Sequence, residues 1–204
     1  MVGPSPPSPD TIETVAAKQA LRKQLRAARR AHVEALDPRT RALLMRRPPA
    51  PLLGLIPQDA TIGVYHAGPF EAPAASYAAF FHEAGHTVAL PWFADRGAPM
   101  QFRRWLVPPL DDELVADPWG VRQPNASAET VTPDVVFVPL VGFTADGARL
   151  GQGGGHYDRW LAGRPDAVAI GLAWDAQLVE SLPREPHDHR LRAVVTPTRL
   201  YGPF

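Results

Sequence analysis

The chain has 204 residues, 45% of them hydrophobic, which is enough for one domain with a substantial core. Its 21 basic residues balance 21 acidic ones, so no net field draws it to nucleic acid or to a membrane surface. It has no cysteine, which excludes disulfides, thiolate catalysis and a zinc–cysteine site and accords with a reducing, cytoplasmic setting.

Four prolines fall within the first nine residues, and no apolar run like that of a signal peptide follows. Residues 1–10 are therefore expected to be a disordered leader and residues 11–204 a single domain. No segment approaches the roughly 20 apolar residues that span a bilayer. From residue 11 to 36, Leu21, Leu25, Ala28, His32 and Leu36 recur at spacings of three and four, the stripe of a long helix. Lys18 and Arg22 lie one turn apart on it, a geometry able to grip a phosphate tail. The further cations Lys23, Arg26, Arg29 and Arg30 read as a solvated basic face.

Asp37-Pro38 has the form of an N-cap followed by proline at the first helical position, opening a second helix to about Arg46, which Pro48, Pro49 and Pro51 end. Thr61 to Tyr65 reads as a strand and runs into the loop His66–Pro73. A helix to Ala84, closed by Gly85, leads to a strand over Thr87–Pro91. This alternation predicts an α/β fold, an open and largely parallel sheet with helices on both faces. Glu71 occupies the loop after a strand, where such folds place ligand contacts, although a lone loop glutamate is more often merely solvated.

Phe93 to Thr132 is rich in proline and loop residues, with a short strand near Gln101–Trp105. Trp119 lies here; it can stack on a flat ring or simply pack as part of a lid. Pro133 to Val141 is a nearly continuous apolar run, a strand buried on both faces. After it come a glycine-rich loop, a short helix over Tyr157–Leu161 stopped by Gly163 with Pro165 beyond, a strand over Ala167–Trp174, a helix over Asp175–Leu182 and a strand over Leu191–Thr196. His187-Asp188-His189 invites a transition-metal reading, but no further His or Cys cluster supplies a closed ligand set.

The glycine-rich loop is the most informative segment: Arg149-Leu150-Gly151-Gln152-Gly153-Gly154-Gly155-His156-Tyr157-Asp158. Its glycines let several backbone N–H groups approach one ligand, as a phosphate cradle requires. Arg149 enters the loop as a phosphate anchor and Asp158 leaves it as a carboxylate for an accompanying cation. A Rossmann fingerprint would need glycine where His156 stands, and a Walker A loop would need Gly-Lys-Ser/Thr.

From Phe143 to Arg159 the segment resembles the signature of the 5-formyltetrahydrofolate cyclo-ligase family, F-D-x-x-G-x-R-L-G-x-G-x-G-Y-Y-D-R. Thr144 replaces its usual Asp, and His156 replaces its first Tyr. The resemblance implies a three-layer sandwich of the NagB/RpiA/CoA transferase-like kind. It implies conversion of 5-formyltetrahydrofolate and ATP, with Mg²⁺ as cofactor, to 5,10-methenyltetrahydrofolate, ADP and phosphate. It also implies ATP binding by Lys18, Arg22, Arg149, Leu150, Gly151, Gln152, Gly153, Gly154, Gly155, His156 and Tyr157. Substrate contacts would come from His66, Glu71 and Trp119, magnesium contacts from Asp158 and Asp188, and catalytic roles from Arg149, Tyr157 and Asp158. The segment from Trp119 through Gly120-Val121-Arg122-Gln123-Pro124 looks like the family's aromatic-containing stretch.

On this reading ATP phosphorylates the formyl oxygen, N10 of the same folate attacks the activated carbon, and phosphate leaves. Both nucleophiles come from substrates, so an enzyme without cysteine or an evident Ser/His/Asp set suffices. The expected partners are small molecules, with no nucleic acid and no membrane, acting on a monomer. The alternative is a non-catalytic relative that binds nucleotide or folate, which Thr144 and His156 would favour. A nucleic-acid module built on the helix from Lys18 to Arg30 fits poorly with the neutral charge, and a sugar-phosphate isomerase would need an acid/base pair that no motif marks.

Overall fold

The computed structural model describes residues 9–185 and 188–204, so the expected leader lies outside it as far as residue 8. Helix α1 spans Pro9–Ala35, followed by α2 (Pro38–Leu43) and α3 (Ala50–Leu53). Strand β1 (Ile62–Gly63), α4 (Ala75–Glu83), β2 (Val88–Trp92) and β3 (Gln101–Arg104) come next, then β4 (Leu114–Ala116), β5 (Arg122–Pro124), β6 (Thr130–Val131) and β7 (Val135–Pro139). The remainder is β8 (Gly142–Phe143), β9 (Arg149–Leu150), α5 (His156–Ala162), β10 (Val168–Leu172), a 3₁₀ turn at Asp175–Gln177, β11 (Ala193–Val195) and β12 (Leu200–Tyr201).

Eight strands form one sheet in the order β12-β11-β10-β7-β1-β2-β3-β6. The five inner strands from β11 to β2 are mutually parallel, β12 on one side and β3 on the other run antiparallel to them, and β6 pairs antiparallel with β3. Residues alternate between two apolar layers, as the pleat requires. Ile62, Val64, Val135, Phe137 and Ile170 face the layer that holds Val33 of α1 and Tyr77 and Phe81 of α4. Ala89, Val136, Val138, Ala169 and Val194 face the layer that holds Leu161 and Trp160 of α5. Helices thus cover both faces, as the alternation of elements implied.

Gly63 is required by packing. A Cβ there would stand 2.8 Å from the Phe102 ring and 2.9 Å from Val136. Gly63→Ala is therefore expected to lower stability by about 1–3 kcal/mol through overpacking, read as a lower midpoint in thermal unfolding.

Three expectations need correction. The second helix ends at Leu43, because Leu44 is extended and Met45 takes a positive φ of 55°, although Asp37 caps its start by accepting from the N–H groups of Arg39 and Thr40. No helix runs over Asp175–Leu182. The Gln177 side chain donates to the Leu140 and Val141 carbonyls at 2.7 and 3.1 Å, and Val179 N–H donates to Phe143, which ties this segment to β8 after a single 3₁₀ turn. The glycine loop also does not follow the long buried strand directly. A tight hairpin, β8–β9, comes between them, with Gly142 opposite Leu150 and Phe143 opposite Arg149.

The stripe on α1 differs as well. Ala28 is exposed, and the buried face carries Lys18, Leu25, Arg29 and Val33, with Leu21, Arg22 and His32 half-buried beside it. Cations therefore share the inward face of this helix with its aliphatic residues. Leu25 packs on Val141, Ala148 and Leu150 of the hairpin, which presses that face against the start of the glycine loop.

Candidate active site

In the sheet order, β1 continues to β2 in one direction and β7 continues to β10 and β11 in the other. The point between β1 and β7 is a topological switch, and such sheets bind ligands just beyond the carboxyl ends of the strands flanking it. A cleft of about 660 Å³ opens there, floored by Tyr65 and His66 after β1 and Pro139 at the end of β7. Helix α1 supplies Lys18 and Arg22 to one wall, the glycine loop from Arg149 to Asp158 forms another, and Phe93 and Trp119 stand opposite. Asp188 and Glu185 complete it.

The loop's hydrogen bonding is lopsided. Its carbonyls are held from outside: Arg22 Nε donates to Gly151 O at 2.9 Å, Arg26 Nη2 to Gln152 O at 2.7 Å and Arg159 Nη2 to Gly154 O at 2.7 Å. Among the described residues, none of the five N–H groups from Gly151 to Gly155 donates to an acceptor in the protein. A peptide whose C=O faces one way points its N–H the other way. Anchoring the carbonyls on arginines therefore turns unpaired donors away from those anchors. Gly153 and Gly155 adopt φ of +109° and +63°, which side-chain-bearing residues rarely take.

Arg149 and Asp158 meet across the loop, Nη2 to Oδ1, at 2.5 Å, with the arginine side chain only 3% exposed. The Arg149 Nε is buried without a partner, as is the Tyr157 hydroxyl. Burial, and then the Glu71 carboxylate, push the Tyr157 phenol far above its ordinary pKa, so it is a protonated donor at neutral pH. Lys18 is buried and grips two carboxylates, Glu185 at 2.7 Å and Asp188 at 2.6 Å. The cations expected to meet phosphate and the carboxylates expected to meet magnesium thus neutralise one another across the cleft.

His156 packs edge-on against Phe93 and Trp119, with centroids 4.9 and 5.4 Å away. Burial, and then Arg159, lower its pKa below the ordinary value near 6.5, which favours the neutral ring. Trp119 sits in the turn between β4 and β5, shaped by Asp117 Oδ1, which accepts from the N–H groups of Trp119 and Val121 at 2.8 Å. It is 44% exposed, a large apolar ring at the cleft wall. His66 Nε2 lies 3.1 Å from Asp111 Oδ2.

Other residues stand elsewhere than expected. Glu71 is not among the residues lining the cleft; its Oε2 accepts from Gly68 N–H at 2.9 Å and its Oε1 from Gln152 Nε2 at 2.6 Å. Arg26 and Arg29, read as a solvated face, are both engaged. Arg26 holds Gln152, and buried Arg29 donates to Leu140 O at 3.3 Å and lies 3.7 Å from Glu71. Thr144 shapes the β8–β9 turn: its hydroxyl accepts from Ala148 N–H at 3.2 Å and bonds Asp146. His187 lies outside the described residues, and among those no group of three or more His, Cys, Asp or Glu residues could cage a metal.

Sequence reasoning missed Tyr65, Phe93, Arg122 and Glu185, all of which line the cleft. Tyr65 and Phe93 follow parallel strands directly, and strand order would have singled them out.

Fold and cleft define an α/β protein with an open cleft at the switch point of its parallel sheet. The sequence profile of the 5-formyltetrahydrofolate cyclo-ligase family matches residues 14–197, and the chain belongs to that family. It is 42% identical over 95 residues to the 5-formyltetrahydrofolate cyclo-ligase of Escherichia coli, covering 44% of this chain and 52% of that protein. It is 41% identical over 91 residues to that of Mycolicibacterium smegmatis, covering 42% and 47%. The matched region thus spans about half the length of these curated relatives. The 5,10-methenyltetrahydrofolate synthetase of Aquifex aeolicus shares the fold with a TM-score of 0.70 at 24% identity, over 91% of this chain and 92% of that one. No helix among the described residues is long and apolar enough to cross a membrane.

Proposed function

We propose that the protein is a 5-formyltetrahydrofolate cyclo-ligase that uses MgATP, releasing ADP and phosphate as it forms 5,10-methenyltetrahydrofolate. The observation that carries this is the row of unpaired amides from Gly151 to Gly155, flanked by Lys18, Arg22 and Arg149. Several N–H donors without protein partners, in a cleft that three cations also line, suit a polyphosphate.

The donor chemistry also suits magnesium. Asp158 and Asp188 offer hard oxygens, there is no thiolate, and the absence of a closed cage among the described residues matches an ion that keeps waters and arrives on phosphates. These two aspartates would hold it, and it would neutralise charge on the transferring phosphoryl group. The rest falls to the chain itself. Arg149 and the loop amides orient the triphosphate, and Lys18 exchanges a carboxylate partner for phosphate. The protonated Tyr157 hydroxyl donates to an oxygen in the site. Phe93, Trp119 and His156 offer an apolar wall for the flat reduced pterin and limit water around the activated formyl group. N10 of the folate then attacks, and the phosphate leaves.

A non-catalytic binder is less well supported. Thr144 serves a turn and His156 an aromatic cluster, and the loop amides with Lys18, Arg22 and Arg149 are present in spite of both departures. The test is direct: purified protein, 5-formyltetrahydrofolate and MgATP, followed by methenyl-folate absorbance. ATP-dependent growth of that band is expected; binding of both ligands without it would establish the non-catalytic reading.

A further inference from the structure

Gln123 is buried, 6% exposed, and does not line the cleft, yet both ends of its amide are taken by a residue that does. Its Oε1 accepts from Phe93 N–H at 2.8 Å and its Nε2 donates to Phe93 O at 3.1 Å. A donor and an acceptor offered together to the N–H and C=O of one residue is what a neighbouring strand presents in an antiparallel ladder. Phe93 is the first residue beyond β2, so the Gln123 side chain supplies one such rung just past the end of that strand.

Gln123 belongs to β5, and β4 with β5 forms a two-stranded sheet of its own, separate from the eight-stranded one. Such a hairpin has little stability by itself and takes its position from what it is fastened to. Leu114 is buried at its base, and Trp119 lies in the turn at its tip. Between them Gln123 stands opposite Val115 and ties the hairpin to the end of β2, while on the outside Arg96 Nε donates to Pro118 O at 3.1 Å. The Phe93 and Trp119 rings stand with centroids 4.9 Å apart and planes at 83°, forming a corner in the cleft wall.

We propose that Gln123 is a positioning residue for the folate: its amide joins the hairpin that bears Trp119 to the residue that bears the second ring, so that the corner exists before the pterin enters. An amide held at both ends cannot slide along its partner, and the buried Phe93 N–H and C=O lose their acceptor and donor if the hairpin moves. A corner set in advance spares the pterin the cost of ordering two large rings on binding.

Because this role rests on the folate reading given above, one readout needs no ligand. Michaelis constants for 5-formyltetrahydrofolate and ATP are measured for Gln123→Met in the wild-type and Trp119→Ala backgrounds. The Trp119 emission is taken as the difference between each protein and its Trp119→Ala counterpart. Gln123→Met is expected to raise the folate KM about tenfold and to change the ATP KM and kcat by less than about threefold. In the Trp119→Ala background, where the corner is already lost, the same substitution is expected to raise the folate KM by less than about threefold. The Trp119 emission of ligand-free Gln123→Met is expected to shift to the red as the indole leaves Phe93 for water.

An unmoved folate KM, equal rises in both Michaelis constants, the same factor in both backgrounds, or an unmoved emission would overturn the role. A general loss of stability would act on both substrates and multiply with Trp119→Ala. Circular dichroism verifies folding, and if Gln123→Met does not fold, Gln123→Asn, whose amide is one methylene short of Phe93, decides by the same criteria. Wild-type protein that neither binds nor converts 5-formyltetrahydrofolate would overturn the functional reading and the folate role with it. The emission shift distinguishes that outcome from failure of the tie between Gln123 and Phe93.

Discussion

Asp158→Asn is expected to lower turnover with 5-formyltetrahydrofolate and MgATP by about 10²–10³-fold, with a smaller loss of thermal stability than Asp158→Ala. The carboxylate serves two neighbours: it accepts from Arg149 Nη2 at 2.5 Å and faces the cleft as a hard oxygen donor. Asparagine keeps an oxygen for Arg149 and removes the charge, so the hydrogen bond survives while the ion pair and the cation-binding role are lost. Asp158→Ala removes the hydrogen bond as well. Because the Arg149 side chain is only 3% exposed, the alanine variant leaves a buried guanidinium N–H without its acceptor, at a further cost of about 1–3 kcal/mol in unfolding free energy. The expected pattern is two inactive variants, of which the alanine one is the more destabilised. Turnover retained in Asp158→Asn would remove the carboxylate from the magnesium site.

The parts of this site legible in the sequence are those that local chemistry dictates. Glycines spaced for backbone approach, an arginine and an aspartate flanking them, and a lysine–arginine pair one helical turn apart carry their meaning whatever surrounds them. The buried strand and the Asp37 cap follow from the same local logic, and both are present in the fold. What stayed hidden depends on tertiary partners. Arg29 belongs to a run of cations that would be solvated on an isolated helix; only packing of α1 onto the end of β7 buries it, with Glu71 and Leu140 O as partners. Asp175–Leu182 has helical composition, yet Gln177 finds better acceptors in Leu140 and Val141 and the chain turns away. The ring cluster draws Phe93, Trp119 and His156 from three separate segments, and no periodicity links them.

The basic stripe on α1 has a consequence for how the cleft is kept ready. Lys18, Arg22 and Arg26 are spaced four residues apart, and successive residues meet successive features of the site: the carboxylates of Glu185 and Asp188, the carbonyl of Gly151, and the carbonyl of Gln152. One rigid helix therefore sets the register of the whole loop. The ion pairs of Lys18 with Asp188 and of Arg149 with Asp158 keep a cluster of like charges from forming before a ligand enters. Burial lowers the pKa of the Arg22 guanidinium from its ordinary value, but it remains charged at neutral pH. A polyanion entering with a divalent cation can take over both halves of these pairs, cations to phosphate and carboxylates to metal, with no net charge left uncompensated.

Arg149→Lys tests the other side of the loop, and is expected to raise the KM for ATP by about 10–100-fold while leaving that for 5-formyltetrahydrofolate within about threefold. The planar guanidinium has five donors in a fixed fork. Here one Nη is committed to Asp158 and the buried Nε is unpartnered, so the group is arranged to serve two acceptors at once. Lysine can reach Asp158 or a phosphate oxygen from the same stem, but a point charge cannot hold both in one plane. The predicted loss corresponds to about one charge-assisted hydrogen bond, roughly 1.5–3 kcal/mol. Charge is conserved, so a purely electrostatic contribution would leave KM nearly unchanged, and that result would reduce Arg149 to the counter-ion of Asp158. A rise in both Michaelis constants together would instead mark a collapse of the loop, which unfolding midpoints for the two proteins would reveal independently.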